Sequence, residues 1–145
     1  VVDYAHTPDA LEKTLQALRP IADQRGGNIW CVFGCGGDRD AGKRSLMGAV
    51  AERYADQILI TSDNPRSEDP QAIMQMIRGG LKVDATNVQM IADRAAAIMA
   101  AVRNANARDI VLVAGKGHET TQEINGKKFD FSDQEHIRLA AGGGI

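Results

Sequence analysis

Three polar segments, each directly after an apolar run typical of a buried strand, carry the residues best suited to binding chemistry. They are residues 34–39 (GCGGDR), 63–66 (DNPR) and 115–119 (GKGHE). Arginine forks onto carboxylates, glycine lets a ligand approach the backbone, and glutamate pairs with an ammonium group. Ligands of open α/β sheets bind beyond the carboxyl ends of the strands, so we expect the three segments to meet at one edge. Together they predict a receptor for a small zwitterion such as an amino acid.

The DNPR segment is the most informative of the three. Pro65 stiffens the backbone and keeps Asn64 out of the helical region, so Asn64 and Arg66 are held in a fixed relation. Arg66 can grip a carboxylate with two parallel hydrogen bonds, a geometry that lysine cannot reproduce. The alternative is an Asx-type turn with a surface arginine, because such tetrapeptides are common in turns.

The glycine-rich segment nearly matches a P-loop over residues 37–43. Arg44 stands where that motif requires the Ser or Thr that holds magnesium, so we reject the P-loop interpretation. The segment could still bind an anion through glycine amides, a helix N-terminus and Arg39, Lys43 or Arg44. The alternative is a solvated basic turn.

In the third segment, we expect Glu119 and the Gly115 carbonyl to bind an ammonium group, and we expect Lys116 to be solvated in a glycine turn.

A fourth segment, residues 3–8 (DYAHTP), also ends a strand and opens a helix. Asp3 could bind ribose hydroxyls there, and Tyr4 or His6 could border a base. The alternative is that the histidine only caps or packs.

Composition limits the other possibilities. The chain has 145 residues and a formal net charge of -2, which gives no reason to expect nucleic acid or an anionic membrane as partner. No apolar stretch approaches the ~20 residues that span a bilayer. We expect Cys31 and Cys35 to be reduced thiols rather than a disulfide or a zinc site.

The elements that position these segments alternate between strand and helix. Thr7, Asp69 and Asp93 are predicted to cap helices, the first of which ends at Pro20. Another helix is predicted to bury a stripe made of Leu46, Met47, Val50 and Tyr54. Apolar runs predict strands at residues 29–33, 58–60, 88–91 and 110–113. Strands at 121–124 and 128–131 flank an Asn-Gly turn, and a last helix follows. The pattern predicts an α/β fold: a Rossmann-like, doubly wound, mostly parallel sheet with a C-terminal antiparallel hairpin.

Four segments taken in order, DYAHTP (3–8), FGCGGDRDAGKR (33–44), SDNPR (62–66) and AGKGHE (114–119), closely resemble the C-terminal domain of the Mur ligase family. The likeness covers essentially the whole chain and is strongest to the members that add meso-diaminopimelate to UDP-N-acetylmuramoyl-L-alanyl-D-glutamate. It implies that residues 1–145 are the amino-acid-binding domain of an ATP-dependent ligase of peptidoglycan synthesis. The abrupt start at Val1 suggests a fragment that lacks the UDP-binding and P-loop ATPase domains.

The resemblance also implies a site. Its diaminopimelate contacts would be Arg39, Asp63, Asn64, Pro65, Arg66, Gly115 and Glu119. Its ATP contacts would be Asp3, Tyr4 and His6. ATP and Mg²⁺ would be held mainly by the absent central domain, so we expect no catalytic side chain and no metal ligand here, and no ligation by the isolated domain. We expect a monomer in the bacterial cytoplasm.

Other readings of the chain remain open. One is a stand-alone amino-acid-binding or regulatory α/β module. Another is a related amide ligase, folylpolyglutamate-like or lysine-adding, although the intact DNPR and GKGHE segments argue against both. A dinucleotide oxidoreductase lacks support, because no G-x-G-x-x-G stands between a strand and a helix.

Overall fold

Strands and helices alternate along most of the chain, as the sequence predicts. The computed structural model describes residues 1–117 and 119–142. The strands are β1 (Val2–Asp3), β2 (Ile29–Phe33), β3 (Gln57–Ile60), β4 (Val88–Met90), β5 (Ile110–Ala114), β6 (Thr121–Ile124) and β7 (Lys127–Asp130). The helices are α1 (Pro8–Arg25), α2 (Gly42–Tyr54), α3 (Pro70–Arg78), α4 (Arg94–Asn104) and α5 (Asp133–Gly142).

The first five strands form a parallel sheet in the order β1-β5-β2-β3-β4. Helices α1, α2 and α3 pack on one face, and α4 with part of α5 packs on the other. Strand β2 is buried on both sides, since Cys31 and Phe33 belong to the first core and Val32 to the second. The predicted doubly wound sheet is confirmed, and its covered faces explain the unbroken apolar runs. In the described part of the chain, no helix is long and apolar enough to cross a membrane.

The predicted helix caps are confirmed. Thr7 Oγ1 accepts a hydrogen bond from the backbone of the first turn of α1 at 3.2 Å. Asp69 and Asp93 each accept from the second residue of their helix, α3 and α4 respectively, at 3.0 Å. Each cap satisfies a backbone N–H that the helix itself leaves unpaired.

The predicted end of α1 at Pro20 is wrong, because the helix runs on to Arg25. Proline removes one backbone donor, but Gln16, whose carbonyl loses that partner, is exposed, so water can bind this carbonyl. Ala22 continues the buried face of Leu11 and Leu15, and its packing in the core stabilises the helix beyond Pro20. The helix ends where Gly26 adopts the left-handed conformation, at φ 70°.

The predicted burial of Leu46 is also wrong, since its side chain is 58% exposed. The predicted burial of Met47 is confirmed, and Gly48 and Ala51 are buried with it. A Cβ at Gly48 would lie 2.1 Å from the carbonyl oxygen of Ile77 in α3. The close approach of the two helices over this glycine sets the orientation of α2 and turns Leu46 outward.

A buried ion pair ties both outer helices of the second face to the sheet. Arg94, at the start of α4, donates two hydrogen bonds of 2.7 Å to the carboxylate of Asp133, at the start of α5. The same guanidinium donates to the carbonyls of Ser62 at 3.0 Å and Ala114 at 3.1 Å. Both side chains are fully buried. The pair therefore fixes the chain where the DNPR and GKGHE segments begin.

The C-terminal hairpin is confirmed. Strands β6 and β7 pair antiparallel around Asn125 and Gly126, which have φ of 50° and 76°. Two successive positive φ values are typical of the tight turn that Asn-Gly favours. The hairpin also touches the sheet edge, where Ile124 forms an isolated parallel bridge with Arg66.

Candidate functional site

A cavity of about 480 Å³ lies at the carboxyl edge of the parallel sheet. All four polar segments singled out in the sequence contribute to its wall. It is lined by Tyr4, His6, Thr7, Gly34, Cys35, Gly36, Arg39, Lys43, Asp63, Asn64, Arg66, Gly115 and Glu119. Of the sequence-predicted site residues, Pro65 is buried behind the wall and Asp3 lies in an adjoining groove beside Tyr4 and Glu119. His118, in the GKGHE segment, lies outside the described residues.

Arg66 is held in an unusual backbone conformation, with φ at 52°. Its Nη1 donates to the carbonyl of Gly37 at 2.9 Å, and its Nε lies 3.5 Å from the carboxylate of Glu123. Neither contact uses Nη2, and the side chain lines the cavity. A guanidinium braced on two sides offers its remaining donors to a ligand at little cost in conformational freedom.

The glycine-rich loop and the DNPR segment press against each other. The backbone N–H of Gly37 donates to the carbonyl of Asn64 at 2.7 Å. A Cβ at Gly37 would lie 1.9 Å from the carbonyl oxygen of Pro65, so only glycine permits this approach. The contact sets the distance between Arg39 and Arg66 in the cavity wall.

Arg44 belongs to the scaffold of the site and is not available to an anion. It is buried, donates to both carboxylate oxygens of Glu68 at 2.9 Å, and donates to the carbonyl of Gly36 at 3.0 Å. Hydrogen bonds from Arg44 and from the backbone N–H of Asp38 lower the pKa of Glu68 to about 2. Of the three cations predicted for anion binding, Arg39 and Lys43 line the cavity.

Lys116 is fully buried, so the prediction of a solvated lysine is wrong. Its Nζ donates to Asn64 Oδ1 at 3.0 Å and to the carbonyl of Thr121 at 3.0 Å. Asp63 Oδ1 lies 3.0 Å from the same nitrogen, close enough for an ion pair although outside hydrogen-bond geometry. A lysine between two glycines after a buried strand is also typical of a solvated turn, so the local sequence does not reveal this arrangement.

Strand β6 holds the DNPR segment residue by residue. Gln122 Nε2 donates to the carbonyl of Asp63 at 2.8 Å, and the backbone N–H of Glu123 donates to Asn64 Oδ1 at 2.9 Å. The backbone N–H of Arg66 donates to the carbonyl of Glu123 at 3.0 Å. The sequence predicts the hairpin but not the contacts of Gln122 and Glu123 with the DNPR segment, because no local pattern indicates where a hairpin packs.

The N-terminal segment forms the opposite rim of the cavity. Asp3 Oδ1 accepts a hydrogen bond from the backbone N–H of Ala5 at 2.8 Å. The backbone carbonyl of Asp3 accepts hydrogen bonds from the backbone N–H groups of Gly115 and Gly117. Tyr4 is 55% exposed, and its ring meets that of His6 edge to face at a centroid distance of 5.0 Å. An exposed aromatic pair beside a polar groove suits contact with a planar ring.

The two cysteines are free thiols, and both are buried. Burial raises the pKa of each thiol to about 12, so neither serves as a thiolate nucleophile near neutral pH. Within residues 1–117 and 119–142, no group of three or more His, Cys, Asp or Glu side chains could hold a metal ion.

The cavity presents charges of both signs. Arg39, Lys43 and Arg66 supply the cations, and Asp63 and Glu119 supply the anions. Carboxylates on a ligand would meet the arginines, and an ammonium would meet Glu119. The arrangement favours an amino acid that carries a further carboxylate.

Comparisons with known proteins agree with this geometry. The family model described as "Mur ligase, glutamate ligase domain" matches residues 1–117. A Ralstonia nicotianae protein, UDP-N-acetylmuramoyl-L-alanyl-D-glutamate--2,6-diaminopimelate ligase, is 65% identical over 140 residues, which are 97% of this chain and 27% of that protein. An Acidovorax sp. (strain JS42) protein of the same name is 59% identical over 146 residues, which are 99% of this chain and 29% of that protein.

A solved structure of a ligase with that name is 46% identical and superposes with a TM-score of 0.89, covering 99% of this chain and 29% of that one. The chain thus spans less than a third of the length of these relatives. The family model covers most of the chain and ends in the GKGHE segment, so the parallel sheet and three of the polar segments lie wholly within it. The chain therefore belongs to the Mur ligase family and corresponds to its glutamate ligase domain.

Proposed function

We propose that this chain is the acceptor-binding domain of an ATP-dependent ligase that adds meso-diaminopimelate to UDP-N-acetylmuramoyl-L-alanyl-D-glutamate in peptidoglycan synthesis. The observation that carries the proposal is the cavity that Arg39, Arg66 and Glu119 line together. The names of the relatives that match nearly all of the chain at 65% and 59% identity support it.

Four cavity residues have a proposed partner on the amino-acid substrate. Arg66 binds one carboxylate of diaminopimelate and Arg39 contacts the other. Glu119 and the Gly115 carbonyl receive the ammonium group at the distal stereocentre. Asp63, Asn64 and Pro65 shape the wall that holds Arg66. L-Lysine lacks the second carboxylate, so it would leave an arginine unpaired in a closed site, which penalises its binding.

In the proposed reaction, the γ-carboxyl of the D-glutamate residue is phosphorylated by ATP, and ADP is released. The free amine of diaminopimelate then attacks the acyl phosphate, which forms the amide and releases phosphate. This chain contributes no nucleophile. It orients the amine toward the acyl carbon, and orientation of this kind can be worth about 7–11 kcal/mol. Asp3 is the proposed ribose contact, and Tyr4 and His6 border the adenine ring.

The remaining requirements are assigned outside this chain. We propose that the sites for Mg²⁺, the P-loop and the UDP-binding domain belong to the rest of a longer polypeptide, because the chain spans less than a third of the length of its relatives. We propose that this polypeptide is monomeric, acts in the bacterial cytoplasm and binds neither nucleic acid nor membrane. The isolated domain is accordingly expected to be inactive in ligation.

The test is a phosphate-release assay on the complete gene product with ATP, Mg²⁺ and the UDP-muramoyl dipeptide. It compares meso-diaminopimelate with L-lysine, and wild type with Arg66→Ala. Arg103→Ala is the control, because Arg103 lies in the exposed last turn of α4. We expect phosphate release with diaminopimelate and none with lysine. The kcat/KM for diaminopimelate should fall at least about a hundredfold in Arg66→Ala, as expected for one lost charge-assisted contact, and should not change in Arg103→Ala. Equal use of lysine, or full activity of Arg66→Ala, would contradict the assignment of the DNPR segment.

A further inference from the structure

Lys116 is a buried lysine behind the cavity wall, and the recognition contacts proposed above give it no role. We propose that Lys116 is a positioning residue that sets the acceptor specificity of the site. This inference rests on the proposed function, and it concerns how the DNPR segment is held rather than which of its atoms touch the substrate.

The first support is the placement of the ammonium. One nitrogen reaches three oxygens at 3.0 Å, those of Asp63, Asn64 and Thr121. Asp63 and Asn64 belong to the DNPR segment, Thr121 begins β6, and Lys116 itself lies in the GKGHE segment. A single charge therefore joins three parts of the chain whose relative positions decide the shape of the cavity.

The second support is the orientation that these contacts impose on Asn64. Its Oδ1 accepts from Lys116 Nζ at 3.0 Å and from the backbone N–H of Glu123 at 2.9 Å. Since both donors point at the oxygen, the Nδ2 group must face the other way. Asn64 lines the cavity, and we infer that its Nδ2 donors belong to that wall. Donors on that wall suit a carboxylate of the acceptor.

The third support is the effect on Asp63. Its Oδ1 is buried against Lys116, while its Oδ2 lies 3.7 Å from the position that a Cβ of Gly115 would occupy. Lys116 thus neutralises one side of the carboxylate and leaves the other beside the cavity, near the proposed ammonium subsite. Without the lysine, the buried carboxylate would lack a counter-charge and would repel the acceptor carboxylates.

Lysine suits this position better than other residues. An ammonium is a compact point charge, and its single nitrogen lies 3.0 Å from all three oxygens, donating to those of Asn64 and Thr121 and pairing by charge with Asp63. A guanidinium carries the same charge but spreads its donors over a plane, so it cannot reach all three without displacing the DNPR segment. Methionine keeps a long unbranched chain but neither the charge nor the donors.

The experiment uses the complete gene product with Lys116→Met, and Lys127→Met as control. Lys127 is exposed on β7, so it offers the same substitution on the hairpin whose first residue, Thr121, receives a hydrogen bond from Lys116. For Lys116→Met we expect the KM for diaminopimelate to rise at least about tenfold, the KM for ATP to stay within about twofold, and the preference for diaminopimelate over lysine to fall about tenfold. The control should match wild type.

A second variant, Lys116→Arg, covers the case in which Lys116→Met does not fold. It retains the counter-charge of Asp63, so the domain is expected to fold, and we expect a rise of at least about threefold in the KM for diaminopimelate alone. A folded Lys116 variant with the wild-type KM for diaminopimelate, or with equal changes in the KM of every substrate, would overturn the inference. A wild-type enzyme that does not use diaminopimelate would instead overturn the proposed function, and the inference with it.

Discussion

Removal of the Arg94 charge should destabilise the domain more than any surface change. Arg94→Met leaves the carboxylate of Asp133 fully buried without its counter-charge, and it leaves the carbonyls of Ser62 and Ala114 without their donor. Breaking a buried pair in this way costs about 3–5 kcal/mol. That is a large part of the roughly 5–15 kcal/mol by which domains are stable. At about 3 °C per kcal/mol for a domain of this size, the melting temperature should fall by roughly 9–15 °C.

The assay is urea and thermal unfolding followed by circular dichroism. Lys13→Met is the control, because its ion pair with Asp9 is solvent-exposed and should contribute no more than about 0.5 kcal/mol. The double variant Arg94→Met with Asp133→Leu removes both charges, so we expect it to be more stable than Arg94→Met alone by about 1–3 kcal/mol. A loss below about 1 kcal/mol for Arg94→Met, or a double variant no more stable than Arg94→Met, would refute the reasoning.

Two further predictions concern the loops around the cavity. Because the pKa of Glu68 is lowered to about 2, its carboxylate stabilises the folded protein above the ordinary value of 4.5, and this stabilisation is lost as the pH falls toward 2. Urea unfolding should therefore show wild type more stable than Glu68→Gln at pH 7, with the gap closing between about pH 4.5 and 2; an unchanged gap would contradict this. Gly37→Ala would force a methyl group to within 1.9 Å of Pro65 O, so we expect a loss of about 1–3 kcal/mol, whereas Gly79→Ala, whose nearest neighbour lies at 3.4 Å, should cost less than about 1 kcal/mol. Equal losses in the two variants would show that the loop contact is not tight.

The parts of the structure that depend on nearby residues could be predicted from the sequence. The caps at Thr7, Asp69 and Asp93 and the Asn-Gly turn are short-range features whose side chains act on backbone within a few residues. The meeting of the polar segments at one cavity could also be predicted from the sequence, because the carboxyl ends of parallel strands lie at the same edge of a sheet. Eight of the ten expected site residues line the cavity; their contacts with substrate remain predictions.

The features that escaped prediction depend on packing between distant segments. Pro20 lies inside α1 because the helix beyond it still buries Ala22 in the core. Leu46 faces solvent because α3 packs closely against α2 at Gly48. Lys116 is buried because three oxygens from other segments surround its ammonium. Charged residues are almost never buried without partners, so a local reading places such a lysine in solvent.

The packing of β6 against the DNPR segment also determines when the cavity wall can form during synthesis of the chain. The hydrogen bonds from Gln122 and Glu123 to that segment join residues 59 positions apart. A domain emerges from the ribosome N-terminus first, at about 5–20 residues per second. A nascent chain that has completed β5 already contains DNPR, yet it lacks β6 to hold it. The DNPR wall of the cavity is therefore completed only after the sheet, and a chain that ends after β5 would lack both the strand that holds this wall and the Asp133 partner of Arg94.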